Sequence, residues 1–266
     1  MTFVQKLIKY AAISFGILLI ASISFRIMNA VVGVEDLKNV ELFDVEFSDT
    51  SVTSLEIELK ATELEIKKGE KLHAQTNNKD VEFVTKNGEL RIKEDGFLSS
   101  RKINGKVLLL IPASFSWGEV EIKTGAGLLT VEELSARTLS LTLGAGETKI
   151  NSLAISEYAD IKCGAGKFSL LDASVQNLDL VLGVGEAKIE GDLLGESEVD
   201  CGVGELTLTL GKQTDYQVHL EKGLGSIFVN GSEYGGGVYG NGNNKVEIDG
   251  GVGRINVKFL ADGVNL

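Results

Sequence analysis

The sequence predicts an all-β protein, a β-solenoid or stacked β-roll with coils of about 19–20 residues, preceded by one N-terminal transmembrane helix. Three observations carry this prediction: a recurrent Gly-x-Gly tripeptide, alternation of apolar and polar residues on both sides of it, and an apolar N-terminal segment. Glycine accounts for 32 of the 266 residues, about 12%, against a usual share of about 7%. The glycines show no collagen period. Together with 43% hydrophobic residues, this composition indicates many turns between apolar strands.

Seven Gly-x-Gly tripeptides define the repeat. Their first glycines are separated by 19, 20, 19, 19, 21 and 28 residues, and the last step contains a glycine-rich insertion around Gly235 to Asn244. The predicted turn glycines are Gly125, Gly127, Gly144, Gly146, Gly164, Gly166, Gly183, Gly185, Gly202, Gly204, Gly223, Gly225, Gly251 and Gly253. Because glycine permits a positive φ and close approach of neighbouring chains, we expect these residues at the corners of the coils.

The residues beside each tripeptide alternate with a period of two, which predicts a β-strand on either side. Three residues before the first glycine stand Ile122, Leu141, Ile161, Leu180, Val199, Leu220 and Ile248. Four residues after it stand Leu129, Thr148, Phe168, Ala187, Leu206, Ile227 and Ile255, and six after it Val131, Ile150, Leu170, Ile189, Leu208, Val229 and Val257. These three columns predict one shared interior, because so short a unit buries its apolar face only by stacking on its neighbours. An antiparallel sandwich is the alternative, but it gives no reason for a 19-residue register.

The repeat also bears on the two cysteines, Cys163 and Cys201, which each precede a Gly-x-Gly two repeats apart. At a coil spacing of about 4.8 Å their Cα atoms would be about 9.6 Å apart. A disulfide requires less than about 7 Å, so we expect two free thiols. Both cysteines fall in one apolar column with Leu143 and Leu182.

The more divergent residues 35–115 follow the same pattern. Apolar residues alternate from Leu55 to Leu59, and Gly88 to Ile92 resembles Gly204 to Leu208. We therefore predict a single extracytoplasmic β-repeat domain, residues 35–266, irregular to about residue 115 and regular from about residue 116.

Residues 1–34 predict a membrane anchor. Two lysines precede a mostly apolar run from Tyr10 to Phe25, and Arg26 separates it from a second apolar stretch that ends at Val34. The first run spans about 24 Å as a helix, so crossing a hydrocarbon core of about 30 Å requires part of the second stretch. The lysines predict a cytoplasmic N-terminus in a single-pass protein of the cell membrane. A cleaved signal peptide is the alternative, and either interpretation exports the remaining chain.

The charge of the chain narrows the class of partner. It has 38 acidic and 26 basic residues and a formal net charge of −12. This balance argues against binding to nucleic acid, which requires a clustered cationic surface, and disfavours acidic peptides and anionic lipids.

The stretch from about Val40 to Phe259 resembles the toastrack family, adhesin-type β-strand-repeat domains of unknown function in bacterial envelope proteins. The resemblance rests on the alternating segment Leu55–Leu59, the apolar strand that ends in Ile111-Pro112, and the Gly-x-Gly-flanked strands. Members are associated with Lia-type and phage-shock-type envelope-stress systems. The resemblance therefore implies sensing or interaction with another envelope protein, and it supplies no catalytic residues and no cofactor.

No catalytic, cofactor-binding or metal-binding residues are predicted. The tripeptides lack the third glycine and the helix of a dinucleotide-binding fingerprint. The segment Asp249 to Gly253 is the nearest approach to a calcium-binding β-roll, but the pattern does not repeat. His73 and His219 are interpreted as solvated histidines, because no convergent ligands accompany them.

Two features of the surface are also predicted. Glu147, Lys167 and Glu186 form an outward column of alternating charge, which is typical of a solvated ladder. Tyr234 and Tyr239, in the glycine-rich loop, are the first candidate for a partner surface. For the whole segment Gly231–Gly250, however, the sequence favours an ordinary flexible loop over a binding surface.

These observations predict a membrane-tethered interaction module in cell-envelope stress sensing or response, and not an enzyme. A structural or adhesive surface protein is the second hypothesis. A carbohydrate-active β-helix enzyme is the third, and it would require a groove with clustered acids and bases.

Overall fold

The computed structural model describes residues 42–45, 47, 51–95 and 105–260. The predicted anchor, residues 1–34, and the boundary that follows it lie outside these residues. Within the described residues, no helix combines the length and the apolar character needed to cross a membrane.

The described chain is all-β, as predicted, with one 3₁₀ turn at Gln213–Asp215. The strands are β1 Phe43–Val45, β2 Ser54–Leu59, β3 Glu63–Gly69, β4 His73–Thr76, β5 Val81–Lys86, β6 Glu89–Glu94, β7 Lys106–Pro112, β8 Trp117–Gln176, β9 Leu178–Leu194, β10 Glu196–Lys212, β11 Tyr216–Glu221, β12 Leu224–Val229, β13 Ser232–Tyr234, β14 Gly237–Gly240, β15 Asn244–Asp249 and β16 Val252–Leu260. Strand β8 is long because its extended chain runs through three successive repeats without a break.

These strands build nine coils, which we number in chain order. Each coil has a first strand and a second strand on either side of a corner. The coils are coil 1 at 54–69 (β2, β3), coil 2 at 89–94 and 106–112 (β6, β7), coils 3, 4 and 5 at 117–131, 136–150 and 155–170 (all β8), coil 6 at 178–194 (β9), coil 7 at 196–212 (β10), coil 8 at 216–229 (β11, β12) and coil 9 at 244–260 (β15, β16).

Neighbouring coils pair in parallel, with equivalent residues side by side. Leu180 of coil 6 lies opposite Ile161 of coil 5 on one side and Val199 of coil 7 on the other. This register gives the stacked, solenoid-like arrangement that the 19–20-residue period predicts, and the antiparallel sandwich is not formed.

The order of the coils in the stack differs from their order in the chain. Coil 1 pairs with coil 2 on one side and with coil 3 on the other. At the opposite end, coil 9 pairs with both coil 7 and coil 8. The stack is therefore 2-1-3-4-5-6-7-9-8, and the first and last coils in sequence each lie one place inside its ends.

Antiparallel strands cover both ends of this stack. Strand β5 pairs with β6, and the two-residue loop Asn87-Gly88 connects them. Strand β13 pairs with β12 in the same way, and the loop is Asn230-Gly231. All four loop residues have positive φ, as a type I′ hairpin requires. Three further antiparallel pairs, β4 with β7, β1 with β4 and β14 with β11, complete the covers. The segment Gly231–Gly250, for which a flexible loop was the expectation, thus contains β13, β14 and β15.

The core lies between the first and second strands. Every residue of the three predicted apolar columns is buried. In the irregular half, Leu55 and Ile57 continue the first-strand columns beside Val120 and Ile122. Burial of each such side chain contributes about 1.5–3 kcal/mol relative to exposure, so the columns account for much of the driving force for stacking.

Candidate functional site

Glycines form the corner between the two strands of each regular coil because only glycine fits there. Gly166 and Gly185 have φ of 136° and 141°, a region that side chains disfavour. A Cβ atom on Gly185 would lie 1.8 Å from the carbonyl oxygen of Gly166 in the neighbouring coil. The first glycine of each tripeptide lacks a positive φ, but Gly183 meets the oxygen of Gly164 in the same way, at 2.1 Å. The close approach predicted from the sequence is confirmed for both columns.

A groove follows these stacked corners, and we call it the corner groove. It encloses about 760 Å³, including open solvent, and its lining extends from coil 3 to coils 8 and 9. Five of the residues between paired glycines line it, namely Ala145, Ala165, Val184, Val203 and Val252, and the last two are 44% and 41% exposed. Half-buried Cys163, Leu182 and Cys201 line it beside the first strands. The groove is thus an elongated apolar surface in contact with solvent.

The second-strand side of the corner groove carries charges that are paired within the protein. Lys167 and Glu186 form an ion pair at 3.1 Å, as the predicted charge ladder implies. The Arg254 guanidinium lies 5.6 Å from the centre of the Phe228 ring, a cation–π contact. Asn256 donates a hydrogen bond of 2.8 Å to Glu205. This side therefore offers little uncompensated charge.

The first-strand side is acidic over coils 5 to 9. The outward positions of these five first strands carry eight carboxylates and two lysines. The strand segments are 158–162, 177–181, 196–200, 245–249 and 217–221. The carboxylates are Asp160, Asp179, Glu196, Glu198, Asp200, Glu221, Glu247 and Asp249. We call this surface the acidic border.

Two groups of side chains concentrate the charge of the acidic border. Oxygen atoms of Glu198, Asp200 and Asp249 lie within 4.8 Å of one another. Repulsion from Asp200, reinforced by slight desolvation and the other nearby acids, raises the pKa of Glu198 above its usual value. A second group consists of His219, Glu221 and Glu247, with His219 Nδ1 3.7 Å from Glu247. Either group has the donor types to hold a cation, but both are partly or fully exposed, so a polycationic partner suits them equally.

The two cysteines are free, as predicted. Leu182 pairs with Cys163 on one side and with Cys201 on the other, so a coil separates the thiols. Burial raises the pKa of Cys163 to about 12. Burial, together with Asp200 and Asp249, raises the pKa of Cys201 to about 11. Both thiols are therefore protonated at neutral pH and are poor nucleophiles.

Tyr234 and Tyr239, the candidate partner surface from the sequence, lie in a cluster of rings at the coil 8 end of the stack. The two rings meet edge to face at 5.7 Å, and Tyr239 stacks on Phe259, also at 5.7 Å. Tyr234 donates its hydroxyl hydrogen to the Val238 carbonyl at 3.0 Å. Both rings are partly buried against the core, and their role as a partner surface stays a prediction.

The histidines lie far apart in the stack. His219 points outward between buried Val218 and Leu220, as the strand alternation predicts. His73 is less solvated than expected, since its Nε2 atom lies 2.8 Å from Asp44. Hydrogen bonds from Gln75 and His73 lower the pKa of Asp44.

The sequence analysis did not predict the corner groove or the acidic border. The outward columns of coils 5 to 7 were available as a signal, because they carry acids at every second position of Glu196 to Asp200. The contribution of coil 9 was not available. Asp249 meets Asp200, and Glu247 meets Glu198, only because coil 9 is inserted beside coil 7.

Comparison with known proteins places this fold in a family. A family model described as Toastrack DUF4097 matches residues 79–258. No curated protein matches the chain. Among solved structures, a candidate cell adhesion protein from Clostridium sporogenes is 21% identical, with a TM-score of 0.38 over 83% of this chain and 98% of that one. A candidate adhesin from Bacteroides fragilis is 13% identical, with a TM-score of 0.44 over 83% and 97% of the two chains.

The assignment to a family rests on the family model and not on the two solved structures, whose sequence identities are low. The match to the model covers well over half of the chain and includes all the Gly-x-Gly corners. It also reaches back into the hairpin that covers the coil 2 end of the stack. This chain therefore belongs to the Toastrack DUF4097 family.

Proposed function

We propose that this protein is a membrane-tethered module that binds another envelope protein outside the cytoplasm, in the sensing of or response to envelope stress. The corner groove is the observation that carries the binding part of the proposal. It is an elongated apolar surface, open to solvent, on a rigid stack of coils. Large exposed apolar surfaces on soluble domains are typical of interaction sites.

The chemistry of the described residues supports binding over catalysis. The groove is lined mainly by glycine, alanine and aliphatic side chains, and its cysteines are protonated at neutral pH. A nucleophile requires an adjacent base or a lowered pKa, and the described groove lining supplies neither. We therefore assign no reaction to the groove.

The tether and the compartment rest on the sequence. The lysines, the apolar run and the acidic domain that follows favour a single-pass protein with its C-terminal domain outside the cytoplasm. A fusion of alkaline phosphatase to the C-terminus should be active in cells, because that enzyme requires the oxidising exterior. An inactive, stable fusion would place the domain in the cytoplasm and end the proposal.

Site-specific crosslinking in cells tests the binding role. A photo-crosslinking residue at Val203 in the groove should capture one membrane or envelope protein, and a wall-active antibiotic should raise or lower the yield. The control position is Val84, which is 46% exposed on β5 at the coil 2 end of the stack, far from Val203 in coil 7. A third position, Tyr239, tests the surface that the sequence suggested. Capture of wall polymer alone at all three positions, in resting and stressed cells, would favour the adhesive hypothesis.

The link to stress has its own test. Deletion of the protein should change the response to at least one inducer of envelope stress. An unchanged response to every inducer, with a partner still captured at Val203, would retain the binding module and remove the stress role.

A further inference from the structure

The corner groove has the shape and surroundings of a docking site for an extended chain. It follows the stacking axis across several coils, which are spaced by about 4.8 Å. Over coils 5 to 9 this corresponds to about 19 Å, the length of about six residues of extended peptide. A single small molecule would leave most of this length empty.

Exposed aliphatic side chains give the groove its apolar floor at one end. Val203 of coil 7 and Val252 of coil 9 are directly paired in the register of β10 and β16. Leu224 of coil 8 extends the exposed row beyond the groove lining, since it pairs with Val252 from the other side. All three are more than 40% exposed, so a partner that covers them removes apolar surface from water.

The acidic border adjoins this apolar row. Asp200 immediately precedes Cys201, and Asp249 immediately precedes Gly250. Cys201 and Gly250 both line the groove. The two carboxylates are also close enough to raise the pKa of the Cys201 thiol, which lines the groove itself. The carboxylates themselves are not part of the groove lining, so the acidic border runs along the edge of the groove.

The charge of the border is only partly compensated inside the protein. Lys162 pairs with Asp160 at 2.7 Å, and Lys245 pairs with Glu196 at 2.8 Å. Among the described residues, Glu198, Asp200 and Asp249 have no ion-pair partner within 4 Å. These acids repel one another, and a cationic occupant would relieve the repulsion.

The same face at the other end of the stack is nearly balanced. The outward residues of 54–58, 89–93, 119–123 and 138–142 in coils 1 to 4 include five carboxylates and three basic residues. Several of these pair with one another: Arg91 with Glu56 at 2.7 Å, Lys93 with Glu58 at 3.3 Å, and Lys123 with Glu121. Uncompensated acid is thus concentrated where the exposed valines lie.

We propose that the corner groove of coils 5 to 9, with its acidic border, binds an extended cationic segment of a partner protein, whose apolar side chains cover Val203 and Val252 and whose basic side chains meet Glu198, Asp200 and Asp249. This proposal rests on the proposed binding function and specifies its surface and the chemistry of its partner. A segment with alternating basic and apolar residues has both properties, because alternate side chains of an extended chain point in opposite directions.

The test uses the full chain in nanodiscs of phosphatidylcholine, which carry no net charge, with empty nanodiscs as the blank. The probe is a fluorescently labelled ten-residue peptide of alternating lysine and valine, and its binding is measured by fluorescence anisotropy. A peptide of alternating glutamate and valine tests the sign of the charge. A peptide of alternating lysine and serine tests the apolar contribution, and we expect both to bind at least tenfold more weakly.

Paired variants locate the site. Asp200→Asn combined with Asp249→Asn should weaken binding of the lysine–valine peptide about tenfold. The matched control, Glu119→Gln combined with Glu121→Gln, removes two carboxylates from the same outward face of coil 3 and should change binding less than twofold. Val203→Thr combined with Val252→Thr keeps the side-chain shape and should weaken binding about threefold. Far-ultraviolet circular dichroism of each variant verifies that the fold is retained.

Several results would overturn the proposal. Equal binding of the two charged peptides, or equal losses in the test and control variants, would show that the groove does not select a cationic chain. Calcium binding that depends on Asp200 and Asp249, without peptide binding, would assign the border to a metal ion instead. Crosslinking of a cellular partner at Tyr239 but not at Val203 would refute this surface while retaining the proposed function. If the lysine–valine peptide binds but crosslinking in cells captures no partner, the result would support this surface and refute the proposed function.

Discussion

The corners of the regular coils and the corner of coil 1 achieve one geometry by two different means. In coils 3 to 9 the corner is Gly-x-Gly, and at every corner glycine except Gly127 the backbone of the neighbouring coil occupies the Cβ position. In coil 1 the corner is Lys60 to Thr62, with no glycine. The two kinds of corner are in direct contact, since Ala126 of the coil 3 corner donates its N–H to the Lys60 carbonyl at 2.8 Å.

The difference lies in what receives the N–H groups of the corner. In coil 8, the N–H of Leu224 donates to the carbonyl of Gly251 in the adjacent coil, at 2.7 Å. In coil 1, the N–H groups of Lys60, Ala61 and Thr62 all donate to one carboxylate oxygen of Glu94, at 2.6, 3.0 and 3.3 Å. Glu94 is the last residue of β6 in coil 2, so a side chain takes the place of a neighbouring coil's backbone.

This comparison shows what the glycines are for. A corner with backbone packed against it has no room for a side chain, and glycine is required. A corner whose neighbour is a carboxylate requires an acceptor but not a glycine, because charge-assisted hydrogen bonds satisfy its donors. Five predictions test the comparison, in order of decreasing effect.

Substitution of a corner glycine should have the largest effect. Gly185→Ala places a Cβ at φ of 141° and 1.8 Å from the Gly166 oxygen, so we expect a loss of at least about 4 kcal/mol in the free energy of unfolding. Urea titration followed by the single tryptophan, the buried Trp117, measures it. Gly235→Ala is the control, since its Cβ would meet nothing within 4 Å, and it should change stability by less than about 0.5 kcal/mol. Similar values for the two variants would remove the packing explanation.

Loss of the Glu94 carboxylate should have an intermediate effect. Glu94→Gln keeps the size of the side chain but replaces charge-assisted hydrogen bonds to three backbone N–H groups, and we expect a loss of about 2 kcal/mol in the same urea titration. Glu58→Gln, which alters an exposed pair with Lys93 at 3.3 Å, should lose less than about 1 kcal/mol. If both variants lose the same amount, Glu94 has no special role at the corner.

The same carboxylate predicts a dependence of stability on acid. Burial raises the pKa of Glu94, but hydrogen bonds from Ala61, Lys60 and Thr62 outweigh it and hold the pKa below its ordinary value. A carboxyl with a lowered folded-state pKa stabilises the fold fully above the ordinary carboxyl range, and this contribution disappears as the pH falls through the lowered value. Between about pH 5 and pH 3 the native protein should therefore lose more stability than Glu94→Gln. Parallel curves for the two proteins would contradict the assignment.

Substitution of a turn glycine that has no packed neighbour measures the cost of backbone strain alone, without the cost of a steric clash. Gly231 has φ of 81° in the Asn230-Gly231 hairpin loop, and a Cβ on it would meet nothing within 4 Å. Gly231→Ala should lose only the strain of a positive φ, about 1 kcal/mol by urea titration. A loss as large as that of Gly185→Ala would mean that strain, rather than packing, dominates at the corners.

The surface ladder beside the corners should matter least. Lys167 and Glu186 form an ion pair at 3.1 Å, but their side chains are 60% and 65% exposed. A double-mutant cycle with Lys167→Met and Glu186→Gln should give a coupling below about 0.5 kcal/mol, and 0.5 M salt should abolish it. A coupling above about 1 kcal/mol would make the ladder a structural element of the stack.

The prediction of the coils from sequence succeeded where the signal is local. Ile161 and Leu180 could be placed in one buried column because alternation fixes the face of each residue and the Gly-x-Gly fixes the register. The segment from Gly88 to Ile92 shows the limit of such matching. It resembles Gly204 to Leu208 of a second strand, but Ile92 pairs with Ile57 in a first strand, because an apolar alternation of five residues fits either side of a corner.

The candidate site was less predictable than the coils. The outward acids of each strand follow from alternation, but their concentration into one border depends on which coils are neighbours. The partner surface suggested at Tyr234 and Tyr239 came from composition alone, and composition does not reveal that these rings pack on Phe259.

The sequence by itself determined the all-β class, the repeat length, the buried columns and the places where only glycine fits, because each follows from the backbone geometry of a single coil. It also contained the two Asn-Gly hairpin loops that terminate the stack. Only the tertiary structure decided the order 2-1-3-4-5-6-7-9-8. Every coil presents nearly the same apolar face and corner, so many orders bury similar surface. The antiparallel covers on coils 2 and 8 leave coils 1 and 9 to stack inside them, and that choice brings Asp249 beside Asp200.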